Sequence, residues 1–103
     1  MNTDRSVSLT DRWGAQTEEG VTLERFAALY DDLDSEDEEH SVVDISDDQE
    51  RYVEFSLTTA TLGNAESGDD VGSLALVDRG EAIAIASEFL SGAFNSLRQR
   101  PWA

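Results

Sequence analysis

Apolar residues in the last quarter of the chain recur with the spacing of an amphipathic helix. Plotted at 100° per residue, they form one stripe: Ala82, Ile85, Ala86, Phe89, Leu90, Ala93 and Leu97. Asp78 and Glu81 have the spacing of a capping box, and Pro101 is a residue at which a helix ends. We predict a helix over 80–99, with Gly92 as the point where two helices would meet, because glycine disfavours a helix interior.

A second amphipathic pattern begins after Thr22, a residue type that caps helix N-termini well. Its apolar stripe consists of Leu23, Phe26, Ala27, Tyr30 and Leu33. The spacing predicts a helix over 22–33. Residues 1–20 are polar, so we expect a partly ordered arm in which Leu9 and Trp13 either pack on the core or form a short edge strand.

The middle of the chain carries strand patterns. Segments 41–46 and 71–77 are rich in β-branched and aliphatic residues, and 51–62 alternates with Val53, Phe55 and Leu57 on one face. Four polar residues, Asp47 to Glu50, predict a hairpin turn between the first two strands. We predict a single α+β domain over 1–103, with a three- or four-stranded antiparallel sheet and both helices packed on one face.

Acidic residues dominate the charge. There are 23 acids against seven bases, all of them arginine, for a formal net charge of −16. Such a field disfavours nucleic acid and anionic membranes as partners and favours a basic protein. A salt-adapted or GC-rich genome would also give this composition. Cysteine is absent, no run is apolar enough to span a bilayer, and the first residues lack signal-peptide features, so we expect a cytoplasmic protein.

Nearly half of the acids are concentrated in one stretch. From residue 31 to residue 50 there are eleven acids and no lysine or arginine, whereas a salt-adapted coat should be more even. We interpret residues 31–40 as a solvated acidic connection. A calcium loop starting at Asp32 would place Asp37 where glycine is needed and Val43 where a bidentate glutamate is needed. The pattern therefore predicts no metal site.

Catalytic patterns are also missing from the sequence. His40 is the single histidine, no cysteine is present, and no serine lies in a nucleophile-elbow motif. Phosphate-binding glycine motifs are absent. We therefore predict a non-enzymatic binding protein without a cofactor.

The candidate partner-binding residues combine the acidic stretch with two aromatic residues. They are Asp31, Asp32, Asp34, Glu36, Asp37, Glu38, Glu39, Asp44, Asp47, Asp48, Glu50, Tyr52 and Trp102. Trp102 has two interpretations: it either folds back to cap the core beside Phe94, or it anchors an interface, where tryptophan is over-represented.

Three segments together resemble a known class of proteins. VTLERFAALYDDL, EHSVVDISDDQERYVEFSL and EAIAIASEFLSGAFNSLRQRPW occur in an order similar to that of small immunity proteins from bacterial polymorphic toxin systems, over roughly residues 20–102. The resemblance implies a cytosolic antidote that binds a cognate toxin, often a nuclease or deaminase, and blocks its active site. A dimeric secretion-type chaperone and a salt-adapted domain of unknown role are the alternatives, and the sequence leaves the oligomeric state open.

Overall fold

The computed structural model describes residues 6–33, 36, 39, 41–64, 69–100 and 102. In chain order these residues form β1 (Val7–Thr10), β2 (Gln16–Thr17), α1 (Leu23–Asp31), β3 (Val43–Asp47), β4 (Arg51–Phe55), β5 (Thr59–Asn64), β6 (Asp69–Ala75), α2 (Arg79–Ser91) and α3 (Phe94–Arg98). The strands build one open antiparallel sheet in the order β2-β1-β3-β4-β5-β6. The fold is therefore α+β. None of the described helices is long and apolar enough to cross a membrane.

The core lies between the helices and one face of this sheet. Ile45 pairs with Leu9 on one side and with Val53 on the other, so apolar side chains line up across neighbouring strands. The strands contribute Leu9, Val43, Ile45, Val53, Phe55, Ala60, Leu62 and Leu74, and the helices contribute Phe26, Tyr30, Ala82, Ile85, Ala86, Phe89 and Leu97. The ring centroids of Phe26 and Phe55 lie 4.7 Å apart, which joins α1 directly to β4.

The amino-terminal segment is more ordered than the sequence predicted. β1 is an inner strand between β2 and β3, and Leu9 is one of the most buried residues in the protein. The predicted strand count was too low because four residues with two apolar positions give a weak period-two signal. Trp13, in contrast, does not join the core and remains mostly exposed.

The predicted strand over 51–62 is two strands joined by a tight turn. Ser56 Oγ accepts hydrogen bonds from the backbone N–H groups of Thr58 and Thr59, at 3.3 and 3.0 Å. This turn folds β5 back onto β4 and leaves Leu57 partly exposed rather than on the core face. The strand β5 continues two residues beyond the predicted segment, through Gly63 to Asn64.

The predicted helix over 80–99 is divided in two. Gly92 ends α2 in the left-handed conformation (φ 78°), which glycine adopts without steric penalty. One of the two hydrogen bonds of the predicted capping box is present: Asp78 Oδ1 accepts from the Glu81 backbone N–H at 2.9 Å. The apolar stripe is largely confirmed as core, and α1 also begins after its predicted cap, Thr22.

Candidate functional site

The face of the sheet opposite the core is polar. Strand register aligns two rows of side chains across it: Ser8, Ser46 and Tyr52 in one row, and Thr10, Asp44, Glu54, Thr61 and Ser73 in the other. We call this surface the open face. Glu54 and Ser73 on it are exposed to solvent, so the sheet presents hydroxyl and carboxylate groups where a second apolar layer would otherwise pack.

A pocket of about 430 Å³ lies on the open face, between β1, β3, β4 and the β3–β4 turn. It is lined by Ser6, Val7, Ser8, Thr10, Gln16, Glu18, Asp44, Ser46, Asp47, Asp48, Glu50 and Tyr52. Five of these residues are acids, and none of the described lining residues is a base. The pocket therefore has the electrostatic character of a site for a cationic group.

Hydroxyl groups form a fixed floor beneath the pocket. Ser8 is buried, and its Oγ lies 2.9 Å from the Oγ of Ser46 on the neighbouring strand. Gln16 Nε2 on β2 donates to the same Ser8 oxygen at 2.9 Å. Because three strands share this network, the polar floor is held by the sheet itself and not by a loop.

Asp44 is the most buried acid on the open face among the residues whose side chains the structure describes. Burial raises the pKa of Asp44 above its ordinary value, the hydrogen bond with Thr10 lowers it, and the charge of Glu54 raises it again. Glu54 faces Asp44 directly across β3 and β4, and like charges in such a pair destabilise a sheet. A cation bound beside Asp44 would offset both the cost of burying its charge and its repulsion from Glu54. We therefore take Asp44 as the centre of the candidate site.

Asp47 has a structural role, which corrects the prediction that its carboxylate faces a partner. Its Oδ1 accepts from the backbone N–H groups of Gln49 and Arg51, both at 3.0 Å, and its Oδ2 accepts from Arg51 Nε at 2.9 Å. The side chain is fully buried. These bonds build the β3–β4 turn, in which Glu50 takes a positive φ of 63°. Of the predicted hairpin carboxylates, Asp48 and Glu50 are exposed in this turn.

The described acids at the end of α1 and after it do not line the pocket. Asp31 is bound by both Nε and Nη2 of Arg79, at 2.6 and 2.9 Å, and this guanidinium lowers the pKa of Asp31. Asp32 is exposed, and its backbone carbonyl accepts a hydrogen bond from Arg12. Glu36 and Glu39 are exposed. The remaining predicted acids, Asp34, Asp37 and Glu38, lie outside the described residues, as does His40.

Trp102 packs against the core. Its indole Nε1 donates to the backbone carbonyl of Leu97 at 2.8 Å, and its ring is partly buried against the core cluster. This is the capping interpretation of the two that the sequence allowed. Arg100, two residues earlier, is held by Glu88 at 2.8 Å, which ties the same segment to α2.

Sequence reasoning missed the contribution of β1 and β2 to the site. Ser8, Thr10 and Gln16 line the pocket, but we had assigned them to a partly ordered arm. The available signal was the short alternation of Val7 and Leu9 with Ser8 and Thr10. The expectation that no metal site is present stays a prediction: among the described residues, no group of three potential ligands is close enough to hold an ion.

Comparisons with known proteins identify no relative. No protein-family model, no curated protein and no solved structure matches the chain. The chemistry of the open face must therefore carry the functional argument.

Proposed function

We propose that this chain is a non-enzymatic binding protein that receives a basic protein on its open face. The observation that carries the proposal is the pocket itself, which is lined by four acids besides the Arg51-paired Asp47 and, among the described residues, by no base. The formal net charge of −16 extends this local field over the whole molecule. A field of one sign attracts a partner of the other sign and raises the rate of association.

The two accessible parts of the site would act at different stages of binding. Asp48, exposed at the tip of the β3–β4 turn, is a rim charge, and rim charges mainly set the association rate. Asp44, half-buried at the centre, would be desolvated further by a partner, and buried charged pairs mainly set the dissociation rate. A lysine or arginine side chain of the partner would enter the pocket over Tyr52 and reach Asp44.

A cognate toxin is the partner class that we propose, following the resemblance to immunity proteins. A toxin that acts on nucleic acid needs a basic cleft, and an acidic surface that occupies the cleft would exclude the substrate. In this proposal the carboxylates of the open face take the place of phosphate groups. The protein supplies shape and charge, and it needs neither a catalytic residue nor a cofactor.

The proposal is tested by capture of the partner from the native host, followed by binding kinetics with single-charge variants. Asp44→Asn and Asp48→Asn each remove one negative charge from the site, and Glu24→Gln removes one from α1, on the other side of the sheet. We expect Asp48→Asn to slow association several-fold at low salt and Asp44→Asn to speed dissociation, while Glu24→Gln stays close to the parent.

The captured protein must also be basic. An acidic partner would contradict the proposal, as would equal kinetics for the two site variants and the α1 control. Melting temperatures of all three variants verify that differences in binding do not arise from unfolding.

A further inference from the structure

Exposed apolar side chains are unevenly distributed over the protein. Among the described residues, the large hydrophobic side chains that remain exposed are Trp13 (61%), Val42, Leu57 and Val77 (84%), with Val42 and Leu57 just over one third exposed. Each lies in a turn or connection rather than inside a strand or helix. Isolated exposed hydrophobic residues are common on protein surfaces, but four at one place are not.

Sheet register places all four at the same end of the sheet. Thr10 pairs with Asp44, Val43 with Phe55, and Thr59 with Ala75. The turn after β1, the entry into β3, the β4–β5 turn and the exit from β6 therefore lie side by side. We call this set, Trp13, Val42, Leu57 and Val77, the apolar end. Strand spacing of roughly 4.8 Å sets these four connections along a continuous row.

Trp13 is held in a preorganised turn at this end. Asp11 Oδ1 accepts from the backbone N–H groups of Trp13 and Ala15, both at 2.9 Å. Gly14 has a φ of 85°, which suits glycine, and the Arg12 guanidinium lies 4.7 Å from the centre of the indole ring. A tryptophan presented by a fixed turn loses little conformational freedom on binding, which is a property of interface anchors.

The charge around the apolar end indicates the kind of protein that fits it. The turn after β1 and the exit from β6 carry Asp11, Arg12 and Asp78. Arg79 at the start of α2 and Asp31 and Asp32 at the end of α1 lie next to them, which makes four acids against two described bases. Both bases are engaged: Arg79 binds Asp31, and Arg12 donates to the Asp32 carbonyl. A second copy of this chain would bring another net charge of −16 against the same acids. A basic surface with an apolar depression is complementary.

We infer that the apolar end is the part of the interface that holds the basic partner, with Trp13 as its anchor. This inference rests on the proposed function, and it replaces Trp102 as the candidate anchor. β3 has five residues, so the apolar end lies roughly 17 Å from the β3–β4 turn. A standard interface covers roughly 800 Å² of each protein, a patch wide enough to include both places. One partner therefore contacts the pocket and the apolar end together.

The test is titration calorimetry with the basic protein that the parent chain captures from its host. Trp13→Ser should weaken binding roughly 30-fold or more, as expected for removal of a central anchor. Val77→Ser should weaken it only several-fold, because one smaller side chain is removed. Ala84→Ser, on the exposed side of α2, is the matched control and should bind like the parent. Equal melting temperatures are expected, since all three positions are exposed.

The possible outcomes separate this inference from the proposed function. If the partner is basic and loses affinity for Asp44→Asn but binds Trp13→Ser within twofold of the parent, the apolar end is not the anchor, although the proposed function stands. If no basic protein is captured, the proposed function fails, and this inference fails with it. Sedimentation velocity adds a third arm: a dimer that Trp13→Ser dissociates would make the occupant a second copy and overturn the inference.

Discussion

The two faces of the sheet are made by alternate residues of the same strands, yet they differ completely in chemistry. On β3 and β4, Val43, Ile45, Val53 and Phe55 point into the core, whereas Asp44, Ser46, Tyr52 and Glu54 point to the open face. The first face supplies the burial that folds the chain. The second contributes little apolar area, and its most deeply placed carboxylate is disfavoured there by burial. In the proposed function, the open face serves binding while the core face serves folding.

The largest expected effect is a loss of stability on the core face with none on the open face. Phe55→Ala should lower the free energy of unfolding by about 3–5 kcal/mol, because Phe55 is fully buried against Phe26. Its neighbour Glu54 is exposed, so Glu54→Gln should change stability by no more than about 0.5 kcal/mol. Urea unfolding of both variants measures the difference. Equal losses would mean that the open face contributes as much to stability as the core face does.

The next effect distinguishes two adjacent acids of the β3–β4 turn. Asp47→Ala should cost about 1–3 kcal/mol, because it leaves three hydrogen-bond donors of the turn without their acceptor. Asp48→Ala should stay within about 0.5 kcal/mol, since Asp48 is exposed. Chemical denaturation with NMR spectra of the folded variants checks both. If the two variants unfold alike, Asp47 does not build the turn.

The smallest expected effect has the opposite sign and depends on pH. Burial raises the pKa of Asp44, which means that the folded protein disfavours the charged carboxylate. The free energy of unfolding is therefore higher while Asp44 is protonated at low pH, and it falls as pH rises through the raised pKa. Asp44→Asn should therefore raise the melting temperature slightly at pH 7. The gain should shrink as pH falls through this raised pKa, because the parent carboxyl then becomes protonated as well. A lower melting temperature at pH 7 would show that charged Asp44 stabilises the fold, contrary to the burial cost inferred for it.

The fold could be predicted from the sequence where periodicity was long and unbroken. α1, α2 and the β3–β4 hairpin follow directly from such patterns. The alternation in residues 51–62 continued across a turn, because Leu57 keeps the period although Ser56 and Thr59 reverse the chain. Periodicity alone cannot detect a turn whose residues preserve it. β1 was missed because its pattern is too short: four residues are too few to distinguish a strand from a polar arm.

The site could be predicted only as a concentration of acids. The sequence indicated Asp44, Asp48, Glu50 and Tyr52, which the structure brings to one pocket. It could not separate Asp47 from Asp48, because the two differ only in whether the side chain points into the turn or away from it. It also could not supply the serine floor, which depends on pairing between β1 and β3 across more than thirty residues. Local patterns carry no information about such distant pairing.

The position of β1 inside the sheet affects the order in which the strands can pair while the chain is being synthesised. Val7 is synthesised long before Asp47, its partner, so β1 must wait for β3, whereas β3 and β4 pair as soon as their turn is made. Until β1 arrives, one edge of β3 is open, and open edges are where chains pair wrongly with one another. Asp44 lies on that edge, whereas the Asp47 carboxylate is already held inside the β3–β4 turn. The charge of this strand would then also protect the nascent protein from aggregation.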